Sequence, residues 1–161
     1  MKFLYIAACL IFITGCTPAI PMEYLSKIDR SATYPIVKSN IQKYIGVTVA
    51  WGGYIQEVSN IPEGTYIEVI ESPLDSGNRP EDLDQTRGRF LIGYPGYAEP
   101  VRYAKGRAIT VVGEVQGYQE RPLGEIRYGY PVIHRLYDRL WDPKTTSDIH
   151  LGIGVGTVFT H

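Results

Sequence analysis

Cysteine is nearly missing. The chain has two, Cys9 and Cys16, both near its start. Residues 17–161 therefore hold no disulfide and no thiolate metal site, and this part must be stable on packing alone. Long apolar runs are missing too. The one extended run, residues 3–13, is about half of the roughly 20 residues that a membrane-spanning helix needs. No charge lies between Lys2 and Glu23, and 16 basic against 17 acidic residues leave a formal charge of −1. Such a balance lacks the basic surface that drives nucleic-acid binding, so no nucleic-acid partner is expected. Phenylalanine is scarce, 4 against 13 tyrosines. Tyrosine joins an apolar ring to a polar tip, so this balance suits half-wet surfaces and binding faces.

What is present begins with a secretion signal: Lys2, then an apolar stretch of about eleven residues, then small residues. It ends in Ile13-Thr14-Gly15-Cys16, which resembles the lipobox of bacterial lipoproteins: an aliphatic residue, a small residue, Gly or Ala, then Cys. The resemblance implies a signal peptide at residues 1–15, diacylglycerol on the Cys16 sulfur, cleavage after Gly15 and a third acyl chain on the new amino group. One myristoyl chain binds a membrane only reversibly, at about 0.8 kcal/mol per buried methylene; two or three long chains hold effectively permanently. Thr17 stands where, in the enterobacterial sorting rule, Asp would favour the inner membrane. The implied location is the outer membrane, on the periplasmic side.

The remaining chain suits one domain. Residues 17–35 carry Pro18, Pro21 and Pro35, and read as a partly extended tether that lifts the domain clear of the headgroups. The lipidated cysteine and tether are assigned to residues 16–40. Apolar Ile36, Val37, Ile41 and Tyr44 suit a short helix or a lead-in strand equally. Period-two alternation then marks five strands, at residues 47–58, 65–71, 87–94, 107–118 and 125–134. Gly52 and Gly53 predict a bulge or a close backbone approach in the first strand, and Pro131 an edge position in the last. Gly46, Val49, Trp51, Gly53 and Ile55 recur in spacing as Gly106, Ile109, Val111, Gly113 and Val115, which predicts two long strands with one core phase. The expected fold is mainly β: a small five-stranded OB-like, partly open barrel over residues 41–142, with a generic β-sandwich as the alternative. Leu136, Tyr137, Leu140 and Trp141 have helical spacing, and Pro143 ends that segment. Residues 143–161 form a C-terminal tail, in which residues 151–159 alternate glycine with aliphatics and suit either an edge strand or a mobile segment.

With the strands placed, the chain resembles the Slp family of outer-membrane lipoproteins. The matching pieces are Cys16, Tyr44-Ile45-Gly46, Trp51-Gly52-Gly53-Tyr54-Ile55, Ile67-Glu68-Val69, Ser72-Pro73-Leu74-Asp75-Ser76, Gly88-Arg89-Phe90-Leu91, Pro100 with Tyr103, Gly106 through Gly113, and Tyr128-Gly129-Tyr130-Pro131-Val132. The resemblance implies an outer-membrane lipoprotein linked with starvation and stress, and supplies no catalytic residues.

No residue set reaches a catalytic claim, so the chain is expected not to be an enzyme and to need no cofactor. His134, His150 and His161 lack metal-ligand spacing. Asp75, Asp82 and Asp84 read as a solvated loop rather than a calcium loop. Residues 72–86 form a long polar connection of the kind that is functional or mobile. A hydrolase using that loop is a third reading. Arg79, Arg87 and Arg89 either pair with those aspartates or bind a carboxylate or phosphate. OB barrels bind oligomers on the face of strands two and three, near which Tyr66 and Tyr94 fall. The candidate ligand face is therefore Tyr66, Tyr94, Tyr54, Arg79 and Arg89, for a glycan or peptide. Its bland counterpart is cross-strand packing. The expected partners are the membrane, through the acyl chains on Cys16, and an envelope protein or glycan.

Overall fold

The computed structural model describes residues 18–142. The signal peptide, Cys16, His150, His161 and the expected tail strand lie outside the described residues. Five strands, β1 (Thr48–Ile61), β2 (Gly64–Glu71), β3 (Arg89–Tyr94), β4 (Ala108–Leu123) and β5 (Ile126–Leu140), form one sheet. It closes into a ring in the order β1-β2-β3-β5-β4 and back to β1. All neighbours are antiparallel except β3 and β5. This is the mainly β, OB-like ring that the alternation predicts.

The period-two pattern decides which side chains fill the ring. Val49, Trp51 and Ile55 of β1, Ile67 and Val69 of β2, Phe90 and Ile92 of β3, and Ile109, Val111 and Val115 of β4 share one buried cluster. The repeated spacing has its explanation here: β1 and β4 pair, with Trp51 opposite Val111 and Gly53 opposite Ile109, so both strands carry the same core phase. Trp51 lies edge-on to Tyr34 and to Phe90, with ring centroids 5.4 Å apart in each pair. Such pairs contribute about 0.5–1.5 kcal/mol each beyond their burial. At Gly53 a Cβ would collide with the Ile70 carbonyl, so the close backbone approach is real. The bulge itself falls three residues on, at Gln56.

Three sequence expectations are corrected. First, the expected tether is docked as far back as it is described. Ala19 and Ile20 are buried, at 8% and 1% exposure. Tyr137 donates to the Ala19 carbonyl and Arg139 to that of Pro18. Helix α1 (Met22–Leu25) stacks Tyr24 on Tyr137, and α2 (Tyr34–Ser39) sends Tyr34 and Val37 into the main core, followed by Ile41 from a 3-10 turn. Second, residues 135–140 extend β5 rather than forming a helix. Third, β5 is an interior strand, flanked by β3 and β4. Pro131 is tolerated because the β3 ladder begins only at Val132, so at Pro131 the strand pairs on one side alone.

Residues 118–131 of β4 and β5 pair only with each other and form a two-stranded ribbon. The ribbon lies against the outer side of β2 and β3. Leu91 has the parity opposite to the core residues Phe90 and Ile92, yet is fully buried, and Tyr130 and Pro131 are buried with it outside the main cluster.

Candidate functional site

The ribbon reorganises the face where a ligand was expected. Tyr66, on the outer side of β2, carries the Arg121 guanidinium 4.5 Å over its ring. Glu68 pairs with Arg89 across to β3. Burial, then the Glu68 charge, raises the Tyr130 hydroxyl above its ordinary range. Tyr128 accepts from the Arg89 backbone N–H at 3.1 Å and from Lys38 at 2.6 Å. Burial alone would raise its hydroxyl; the Lys38 and Tyr34 hydrogen bonds outweigh this and hold it below the ordinary tyrosine value. Tyr34, deeply buried, donates to the Arg89 carbonyl and is pushed strongly up. Cross-strand and ribbon packing therefore occupies Tyr66 and Arg89.

The five candidate residues do not form one face. Tyr66 and Tyr94 come from opposite sides of the sheet but meet at the rim of a groove of about 320 Å³, with Pro95, Gln116, Val132 and His134. The inner side of Tyr94 packs against Tyr103 and beneath Arg135, which pairs with Asp138. Tyr103 donates to the same buried Asp138, and its own hydroxyl is raised, first by burial and then by that carboxylate.

Tyr54 and Arg79 line a different cleft, of about 620 Å³, with Val101, Ala104, Lys105, Arg107, Ala108 and Asp142. Arg79 donates to the Asp142 carbonyl at 2.9 Å and lies 5.3 Å from the Trp141 ring centroid. Arg139 lies 4.4 Å from the same centroid. The Arg79 Nε is buried and has no hydrogen-bond partner among the described residues. The helical spacing of Leu136, Tyr137, Leu140 and Trp141 conceals this pair of cations, since Trp141 instead follows directly on strand β5. The sequence carries Arg139 two residues before Trp141, but nothing in it brings Arg79 to the same ring.

The arginines near the long loop find partners other than those expected. Arg87 makes a two-pronged pair with buried Glu71, with contacts of 2.7 and 3.2 Å, and Arg89 takes Glu68. Asp75 accepts from the backbone N–H groups of Gly77 and Arg79 and so shapes its own turn. The loop is held down: Ser72 and Tyr54 donate to the Glu81 carbonyl and Thr110 to that of Asn78. Among the described residues no group of His, Cys, Asp and Glu has the arrangement to hold a metal ion. No helix among them is long and apolar enough to cross a membrane.

The sequence matches the outer membrane lipoprotein Slp family over residues 13–153. The chain belongs to that family. Among its relatives, an uncharacterized lipoprotein, YeaY, of Escherichia coli is 32% identical over 105 residues, 65% of this chain and 54% of the relative. An uncharacterized protein of Haemophilus influenzae is 33% identical over 102 residues, 63% of this chain and 55% of the relative. The outer membrane protein Slp of Escherichia coli is 25% identical over 132 residues, 81% of this chain and 70% of that protein. This Slp-family chain thus matches about half the length of the first two relatives. No solved structure matches it.

Proposed function

We propose that this Slp-family chain is held by acyl chains on Cys16 at the periplasmic side of the outer membrane, and acts there without catalysis as a contact module for envelope integrity under stress. Family membership supports the compartment. The observation that carries the contact role is the ribbon. In OB barrels the outer side of strands two and three receives oligomers. Here that side is packed with the protein's own Arg121, Tyr128 and Tyr130. Intact mass and membrane fractionation of the wild type and Cys16→Ser test the anchor. Loss of residues 1–15 with gain of acyl mass, and outer-membrane sedimentation of the wild type alone, is the expected result. A Cys16→Ser protein that sediments identically overturns the anchor. For the role, a strain without the protein should tolerate detergent and starvation less well than its parent; equal tolerance sinks it.

A second reading is a glycan or peptide site, favoured by the groove in which Tyr66, Tyr94 and His134 share a rim. Stacking on tyrosine suits sugar rings or peptide. Titration with peptidoglycan fragments and short peptides should shift the NMR signals of those residues. Unmoved signals dismiss the reading.

A further inference from the structure

The docked start of the domain decides which of its surfaces meets the lipid. The Pro18 carbonyl is held by Arg139, and the next two residues, Ala19 and Ile20, are buried. Cys16 is two residues before Pro18. Two residues reach no more than about 7 Å even when fully extended. A bilayer holding acyl chains on Cys16 therefore begins within that distance of the Arg139 end of the barrel.

That end has the composition for such a neighbour. Arg139 and Arg79 both lie against the Trp141 ring, at 4.4 and 5.3 Å. Arg79 opens onto the cleft that also holds Lys105 and Arg107. Against these four cations stands the Asp142 carboxylate, 98% exposed and 3.7 Å from Arg107. Val101, on the cleft wall, is 84% exposed. A tryptophan with an apolar body and one N–H suits the membrane interface, and its N–H is already satisfied by Thr110 at 2.9 Å. Arginine and lysine attract anionic lipid at short range.

We propose that the Arg79–Trp141–Arg139 end of the barrel, with Lys105, Arg107 and Val101, is a docking surface for anionic phospholipid headgroups, so that the domain lies on the membrane rather than standing off it. The proposal rests on the acylation of Cys16 and adds an orientation to it.

The test uses the full acylated lipoprotein in vesicles of phosphatidylethanolamine and phosphatidylglycerol, containing bromine-labelled lipid near the headgroup. The protein has two tryptophans, and Trp51, 3% exposed in the core, serves as the internal reference. Bromolipid should quench Trp141 strongly, and Trp141→Phe should remove that quenching. Lys105→Gln should weaken docking about fivefold, the value of one basic residue near an anionic surface. Omitting phosphatidylglycerol should act in the same direction. Protein that floats with the vesicles while Trp141 stays unquenched overturns the docking and leaves the anchor standing. Protein that does not float overturns the anchor, and the docking with it.

Discussion

The Lys38 ammonium meets the Tyr128 hydroxyl at 2.6 Å, joining α2 to the ribbon across 90 positions of sequence. The same hydroxyl takes the Arg89 N–H and touches that of Tyr34, so one phenol ties three parts of the fold together.

This contact has a signature in pH. A phenol whose folded-state pKa is depressed stabilises the fold fully above the ordinary tyrosine value, near pH 10, and this contribution is lost as pH falls through the lowered value. Tyr34, Tyr103 and Tyr130 act in the opposite sense. Burial, first in each case, raises them. Their contribution is complete below about pH 10 and is lost as pH rises through the raised values. Near-ultraviolet titration should therefore show one early-ionising tyrosine. Tyr128→Phe should delete that step and Lys38→Met should move it upward. Denaturant midpoints should fall once pH passes the ordinary tyrosine range. A titration that Tyr128→Phe leaves unchanged dismisses the assignment.

Removing the ribbon's packing should be costly in proportion to burial. Leu91→Ala empties a fully buried site outside the main core and should cost about 2–5 kcal/mol. Arg121→Ala removes the cation over the Tyr66 ring and a hydrogen bond to Gln119 on the same strand, and should cost about 0.5–1 kcal/mol. Urea unfolding separates the two. Equal, small effects would mean that the ribbon does not cover β3 in solution.

The N-terminal segment offers a sharper contrast. In a free tether Ile20→Ala would change nothing. In the docked segment Ile20 is 1% exposed, and its loss should cost about 2–5 kcal/mol by chemical denaturation.

Gly53→Ala should fail in another way. The new methyl group meets the Ile70 carbonyl of the neighbouring strand, and a backbone has no rotamer with which to move aside. Overpacking of this kind costs typically about 1–3 kcal/mol. The expected result is a lowered midpoint together with altered amide shifts in β1 and β2. A midpoint within error of the wild type refutes the close approach.

The ring itself was legible because its inner positions alternate without interruption: Val49, Trp51 and Ile55 on β1, and Ile109 and Val111 on β4, announce both strand and phase. The end of β5 was not, and the reason is local. Tyr137 pairs with Val112 and Arg135 with Gly113, which leaves Leu136 as an extra residue between them. One extra residue breaks the period of two, and Leu136, Tyr137, Leu140 and Trp141 are left at a spacing that imitates a helix. Asp138 deepens the disguise, since its buried carboxylate is satisfied by Tyr103 from a distant loop and by Arg135 three residues earlier on β5. The docking of residues 18–40 was hidden for a different reason. Ala19, Ile20, Ala32, Tyr34 and Val37 bury themselves one or two at a time, between prolines and turns, without any period to read. The two clefts that divide the tyrosine and arginine candidates arise from strand register and from the ribbon, which are long-range properties.

The parallel seam between β3 and β5 is short. It joins Leu91 to Val132, Ile92 to Ile133 and Gly93 to His134. Every other joint of the ring is a longer antiparallel ladder. A ring under thermal agitation opens where the fewest bonds must break together, so its breathing has an address. Amide exchange should be fastest among the buried strands at that seam. Because β5 is the last strand among the described residues, the same seam closes the ring: until residues 132–134 are in place, β3 keeps a bare edge that another chain could pair with.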